Sequence, residues 1–190
     1  MLYNQLKFKF WGIEYGAGLC VCNKIFLTLG RDVQVIFGKN FMFTSGDEIN
    51  PLCRGLKGHI FVADEAKLNV GDNVGISSAC LWANESITIG NNVKIGGNCI
   101  IMDTDAHNLD YRIRNSMRKD DRGRSLDIVS AKASPIIIED DVLIGTSCII
   151  LKGVTIGARS IIAAGSVVTK SIPADCIAGG NPCRVIRTIN

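Results

Sequence analysis

Apolar residues in the last third of the chain recur at every sixth position. From Ile138 the sequence divides into IEDDVL, IGTSCI, ILKGVT, IGARSI, IAAGSV and VTKSIP. An aliphatic residue opens each block: Ile138, Ile144, Ile150, Ile156, Ile162 and Val168. The fifth place is small or β-branched throughout: Val142, Cys148, Val154, Ser160, Ser166 and Ile172. A helix repeats about every 3.6 residues and a strand about every 2, so neither produces this spacing. A six-residue repeat does, with one short strand and a corner per block. Three blocks close a triangular coil of about 18 residues, and successive coils stack as parallel strands about 4.8 Å apart. The pattern predicts a parallel β-helix with the leading aliphatic pointing inward and a compact fifth residue beside it.

The same phase is present earlier in the chain. FGKNFM (37–42) is one rung, and VADEAK (62–67), VGDNVG (70–75), ISSACL (76–81) and WANESI (82–87) follow. After a slip of a residue or two the repeat resumes at IGNNVK (89–94), IGGNCI (95–100) and IMDTDA (101–106). Residues 1–58 are expected to form an amino-terminal cap and irregular first coils, 59–172 the β-helix, and 173–190 a carboxy-terminal cap. Phe8, Phe10, Trp11, Leu19, Val21 and Ile25 are expected to cover the exposed backbone edge of the first coil. A membrane surface is the alternative use of that patch. Phase is lost across an insertion at 107–135 that holds Arg112, Arg114, Arg118, Lys119, Arg122, Arg124 and Lys132 against Asp110, Asp120, Asp121 and Asp127. A long excursion from interchangeable coils marks the place to look for function.

Composition narrows the classes. A net charge of +3 over 190 residues points to no nucleic-acid partner. No apolar run approaches the roughly 18 residues of a transmembrane segment, and no secretion signal stands out near the amino terminus, where Lys9 and Glu14 break the apolar stretch. Few aromatics (6%) suit a narrow interior. Cys80, Cys99 and Cys148 occupy fifth positions, where a thiol serves as a compact hydrophobe. The eight cysteines are therefore expected to be free, in a reducing, cytoplasmic compartment. No cysteine pair has zinc spacing, and no metal is expected.

The chain has two histidines, His59 and His107. His107 lies in DTDAHNLD (103–110), where a coil gives way to the insertion. A rigid rung can hold it there at the edge of a cleft, in the place of a general base working near neutral pH. Asp103 or Asp105 is expected to orient its ring. The other reading is an ordinary loop histidine.

The repeat, the D-T-D-x-H stretch before a charged insertion, and the ending I-A-A-G-S-V-V-T-K-S-I-P-A…A-G-x-P-C-R-V-I-R resemble the left-handed β-helix acyltransferases. The similarity covers about residues 60–190 and is nearest to the galactoside, maltose, capsule and lipopolysaccharide O-acetyltransferases. It implies an all-β, left-handed parallel β-helix, a hand opposite to the usual crossover rule. It also implies a homotrimer with active sites between subunits, and acetyl transfer from acetyl-CoA to a sugar hydroxyl. Position by position, His107 matches the catalytic histidine. Thr146, Ala164, Thr169, Lys170 and Arg187 match residues that touch CoA, Arg184 is a further phosphate candidate, and Gly145 is the expected donor to the oxyanion. Ser78 and Asn84 are candidates to face the acceptor, with a corner residue the equal reading of Ser78. Leu143 stands where many relatives carry an aromatic residue, and residues 1–58 do not match the helical amino terminus of the maltose and galactoside enzymes. A carbonic anhydrase on the same coil needs three histidines per site. An amine acceptor (an amino sugar, serine or a xenobiotic) and a non-catalytic binding solenoid are the other readings.

Overall fold

The computed structural model describes residues 2–46, 49–53 and 55–189, and at Leu2 the backbone only. Its strands form three faces of a prism. The first face stacks Glu14–Tyr15, Gln34–Phe37, Lys67–Val70, Ser86–Ile89, Ile136–Ile138 and Thr155–Ile156. The second stacks Cys20–Cys22, Met42–Thr44, Gly75–Ser77, Lys94–Ile95, Leu143–Ile144, Ile161–Ile162 and Cys176–Gly179, with Arg184–Thr188 added antiparallel at the end. The third stacks Phe26–Leu29, His59–Val62, Cys80–Ala83, Ile100–Met102, Ile149–Leu151 and Val167–Val168. Every other pairing within the faces is parallel, which makes the fold a parallel β-helix.

The six-residue arithmetic is visible in the packing. The leading residues from Ile138 to Val168 are all fully buried, and the fifth-place residues from Val142 to Ile172 are at most 5% exposed. Each buried aliphatic contributes about 1.5–3 kcal/mol, and stacking in register puts like side chains in contact along the axis. The corner between the first and second faces needs a left-handed backbone, and Asn40, Asn73, Asn92 and Asp141 supply it with φ of 55–60°. Asparagine and aspartate tolerate this region because their short side chains bond locally. Here they bond to one another instead: Asn40 to Asn73 at 2.9 Å, Asn73 to Asn92 at 3.1 Å, and Asn92 to Asp141 at 2.9 Å.

Two expectations need correction, and a third is made precise. The irregular first coils expected within residues 1–58 begin at Glu14, directly after the helix Leu2–Phe10. Its Phe8 is fully buried and stacks on Phe37, which stacks on Phe41. The interior also holds more rings than a narrow prism suggests: Phe8, Phe37, Phe41 and Phe43 are all at most 1% exposed. The rings stack toward the helix-covered end, and Gly58 leaves the space that the Phe43 ring fills. Finally, Cys80 is not at an inward position. Leu81 follows the buried Ile76 by five positions instead of six, so Ala79 takes the compact place and Cys80 aligns with the outward-facing Ile100.

Candidate active site

The insertion is pinned at its neck. Asp105 N–H donates to Lys132 O (3.0 Å) and Ser134 N–H to Asp103 O (2.8 Å), with a bridge between Thr104 and Ala133. Beyond the neck lie the short helices Tyr111–Arg114 and Leu126–Val129, the first begun by Asp110, whose side chain accepts from Arg112 N–H. The second helix brings Asp127 back to the neck. Its Oδ2 is 2.6 Å from His107 Nδ1, and its Oδ1 accepts from Asn108 N–H at 2.9 Å. The histidine bond holds the Asp127 carboxyl below the usual carboxylate range. An ionised Asp127 requires the proton on Nδ1, so Nε2 of the neutral ring is the nitrogen with a free lone pair.

Asp127 is the residue missed from sequence. It stands twenty positions from His107 among other charges, and nothing in local spacing singles it out. The two carboxylates expected to orient His107 are used elsewhere. Asp103 is fully buried and accepts from the N–H groups of Asn84 (2.6 Å) and Glu85 (2.8 Å) on the coil below. Burial raises its pKa despite these bonds. Asp105 pairs with Lys152 of the next coil at 3.0 Å.

A cavity of about 840 Å³ lies between the third face and the insertion. Its walls include Phe61 and Trp82, whose rings are 5.3 Å apart, and Ile128 and Val129 from the insertion. Ala106 and Ile128, the neighbours of His107 and Asp127, also line it, which sets the pair at its rim. Asn84 faces the cavity and accepts from Trp82 Nε1 at 2.8 Å. Arg31, Arg122 and Arg124 converge on Asp64 Oδ2 at 3.3, 3.4 and 3.0 Å and tie the insertion to the lower coils. Ser78 is not at this cavity. It is a buried corner residue whose Oγ accepts from Gly46 N–H at 3.0 Å.

The residues matched to CoA contacts lie on two different edges. Gly145, Thr146 and Ala164 are at the corner between the second and third faces, where Gly165 N–H donates to Thr146 O. Gly145 and Thr146 line a groove of about 680 Å³ with Leu143, Lys94, Gly96 and Gly97. Thr169 and Lys170 follow Val168 at the other end of the third face, above Lys152 and on the edge that carries His107. Arg184 and Arg187 are exposed on the final antiparallel strand. The Gly145 N–H donates to Ile162 O at 2.8 Å and so has no capacity left for an oxyanion. Among the described residues, the amide of Thr146 makes no such bond.

Similarity to known proteins follows this geometry. The model described as the hexapeptide repeat of succinyl-transferase matches residues 135–170. Galactoside O-acetyltransferase of Escherichia coli is 41% identical over 105 residues, 55% of this chain and 45% of the relative. The matched segments span less than half the length of the curated relatives. Among solved structures, a maltose O-acetyltransferase from Clostridium difficile is 28% identical with a TM-score of 0.52, covering 94% of this chain and 70% of the other. AntD, an N-acyltransferase from Bacillus cereus solved with dTDP-4-amino-4,6-dideoxyglucose and coenzyme A, reaches a TM-score of 0.71 at 17% identity, over 98% and 89% of the two chains. The fold is the left-handed parallel β-helix of the hexapeptide-repeat acetyltransferases.

Proposed function

We propose that the chain is an acetyl-CoA-dependent O-acetyltransferase that acts on a saccharide hydroxyl in surface polysaccharide assembly, with His107 as its general base. The observation that carries the reading is the His107–Asp127 pair at the rim of a cavity walled by Trp82, Phe61 and Asn84. Aromatic faces and an amide are suited to a sugar, which offers apolar C–H faces beside hydroxyls. Nε2 takes the proton of the acceptor hydroxyl as its oxygen attacks the thioester carbonyl. A tetrahedral oxyanion forms and collapses, the C–S bond breaks, and the imidazolium returns the proton to the leaving thiolate. Asp127 keeps the ring in the tautomer that can do this and stabilises its charged form. The uncommitted N–H of Thr146 is the oxyanion donor in this reading.

Thr146 and Ala164 share one edge of the prism and His107 another. A site that uses both sets takes His107 from one copy and the Thr146 edge from its neighbour, as a homotrimer provides. Lys170, Arg184 and Arg187 then supply charge for the phosphates of CoA. All eight cysteines are unpaired, in keeping with a reducing cytoplasm.

The test is incubation of the purified protein with acetyl-CoA and a panel of sugars, nucleotide sugars, amino sugars and serine, read by mass spectrometry. An acetylated sugar hydroxyl that disappears with His107→Ala supports the reading. Acetylation of an amine moves the reaction to N-acetyl transfer, and no product with any acceptor, together with no binding of CoA, rejects catalysis.

A further inference from the structure

The amino-terminal cap is apolar on two sides. On the helix Leu2–Phe10, Phe8 and Asn4 point into the coils. Tyr3, Leu6 and Phe10, spaced three and four apart, share the opposite side and are 59%, 60% and 84% exposed. Trp11 extends the patch at 42%, and Phe26 of the first coil is 54% exposed. The end of a solenoid ordinarily turns a polar surface to water, and this one turns aromatic rings. Lysines surround them. Lys9 is exposed, Lys24 Nζ is 6.0 Å from the Tyr3 ring centre, and Lys57 Nζ is 5.7 Å from that of Phe26. Within residues 1–30, Glu14 is the sole acid against Lys7, Lys9 and Lys24.

We propose that this cap docks on an anionic lipid bilayer. Amphipathic rings settle at the headgroup level of a membrane, and neighbouring lysines gain from anionic lipid. The charge pattern disfavours a second copy as the occupant, because a two-fold pairing of caps sets lysine against lysine. Placement gives the docking a use. The cavity beside His107 begins at Thr28–Arg31 in the first coil, next to the cap, and ends at Ala106, three coil steps or about 14 Å further along the axis. Docking brings the near end of that cavity within reach of a saccharide carried on a lipid. This use rests on the transfer reading, whereas the docking itself does not.

The test is co-sedimentation of the full chain, without acetyl-CoA, with phosphatidylcholine vesicles that contain or lack phosphatidylglycerol. The protein is expected to sediment with the anionic vesicles, to be released by salt, and to ignore the neutral ones. Leu6→Ser with Phe10→Ser lowers vesicle partition by about tenfold or more, since the apolar contact drives insertion. Lys9→Glu with Lys24→Glu does the same through charge and decides the matter if the first pair fails to fold. Unchanged circular dichroism and melting identify a surface effect. No sedimentation with anionic vesicles overturns the proposal, as does equal sedimentation of both double variants and the parent. Self-association abolished by Leu6→Ser with Phe10→Ser, in a protein that ignores vesicles, also overturns it. Failure here leaves the acetylation assay untouched.

Discussion

His107 Nδ1 lies 2.6 Å from Asp127 Oδ2, a contact made across twenty residues of inserted chain. It fixes which ring nitrogen faces outward, and the base chemistry depends on that. His107→Ala is expected to lower kcat by about 10² to 10⁴ and leave CoA affinity unchanged. Asp127→Asn keeps the shape and loses the carboxylate, so kcat falls with KM for acetyl-CoA nearly constant. Steady-state kinetics and a CoA titration read both. A matching loss of CoA affinity places these residues in binding instead.

The same bond makes a pH prediction. Asp127 titrates below the ordinary value of 3.8 because His107 favours its ionised form. The folded protein therefore binds fewer protons than the unfolded chain in that region, and stability falls as pH drops. The contribution is complete above about 3.8 and is lost as pH passes down through the folded value. The difference in melting temperature between the parent and Asp127→Asn should narrow on acidification below about pH 4. A gap that stays constant or widens contradicts the assignment.

Asp103 is expected to matter for folding rather than for base strength. Its carboxylate holds two backbone N–H groups of the coil beneath it. Asp103→Ala strands both donors and should cost about 2–4 kcal/mol in chemical denaturation. If stability is unchanged and turnover falls as in His107→Ala, Asp103 belongs to the chemistry.

Lys170 and Arg187 are predicted to serve the donor. Lys170→Ala and Arg187→Ala should each raise KM for acetyl-CoA by about tenfold, with kcat little changed, since a charge-assisted phosphate bond is lost in ground and transition states alike. Saturation kinetics distinguish this from a fall in kcat, which would argue against simple phosphate binding.

Thiol access follows from packing. Cys53, Cys99, Cys148, Cys176 and Cys183 are buried, and Cys20, Cys22 and Cys80 are partly exposed. A thiol reagent should label the latter group first under native conditions and reach the others only on unfolding. Early labelling of Cys99 or Cys148 would mean that the prism opens readily.

The β-helix was legible in the sequence because its interior is one-dimensional: each block meets only the blocks above and below it, so a local six-residue rule is also the tertiary rule. Ile138 to Ile172 pack as that rule requires. The rule fails where chain length changes within a coil. A five-position step from Ile76 to Leu81 turned Cys80 outward, and at the first coils phenylalanines replace the short aliphatics that announce the repeat.

His107 was legible as the histidine at the junction of coil and insertion, and its partner was not. An insertion has no period, so which of its carboxylates returns to the neck depends on how two short helices and the Asp64–arginine cluster fold it back. The sequence by itself determined the coil, the inward ladder and the edge on which His107 stands, through a repeat that every block restates. Only the tertiary structure decided that Asp127 rather than Asp103 or Asp105 holds the ring, that the Gly145 amide is spent in the ladder, and that Tyr3, Leu6 and Phe10 face away from the core. Those three outcomes depend on contacts between segments with no shared period, where spacing along the chain carries no information about distance in space.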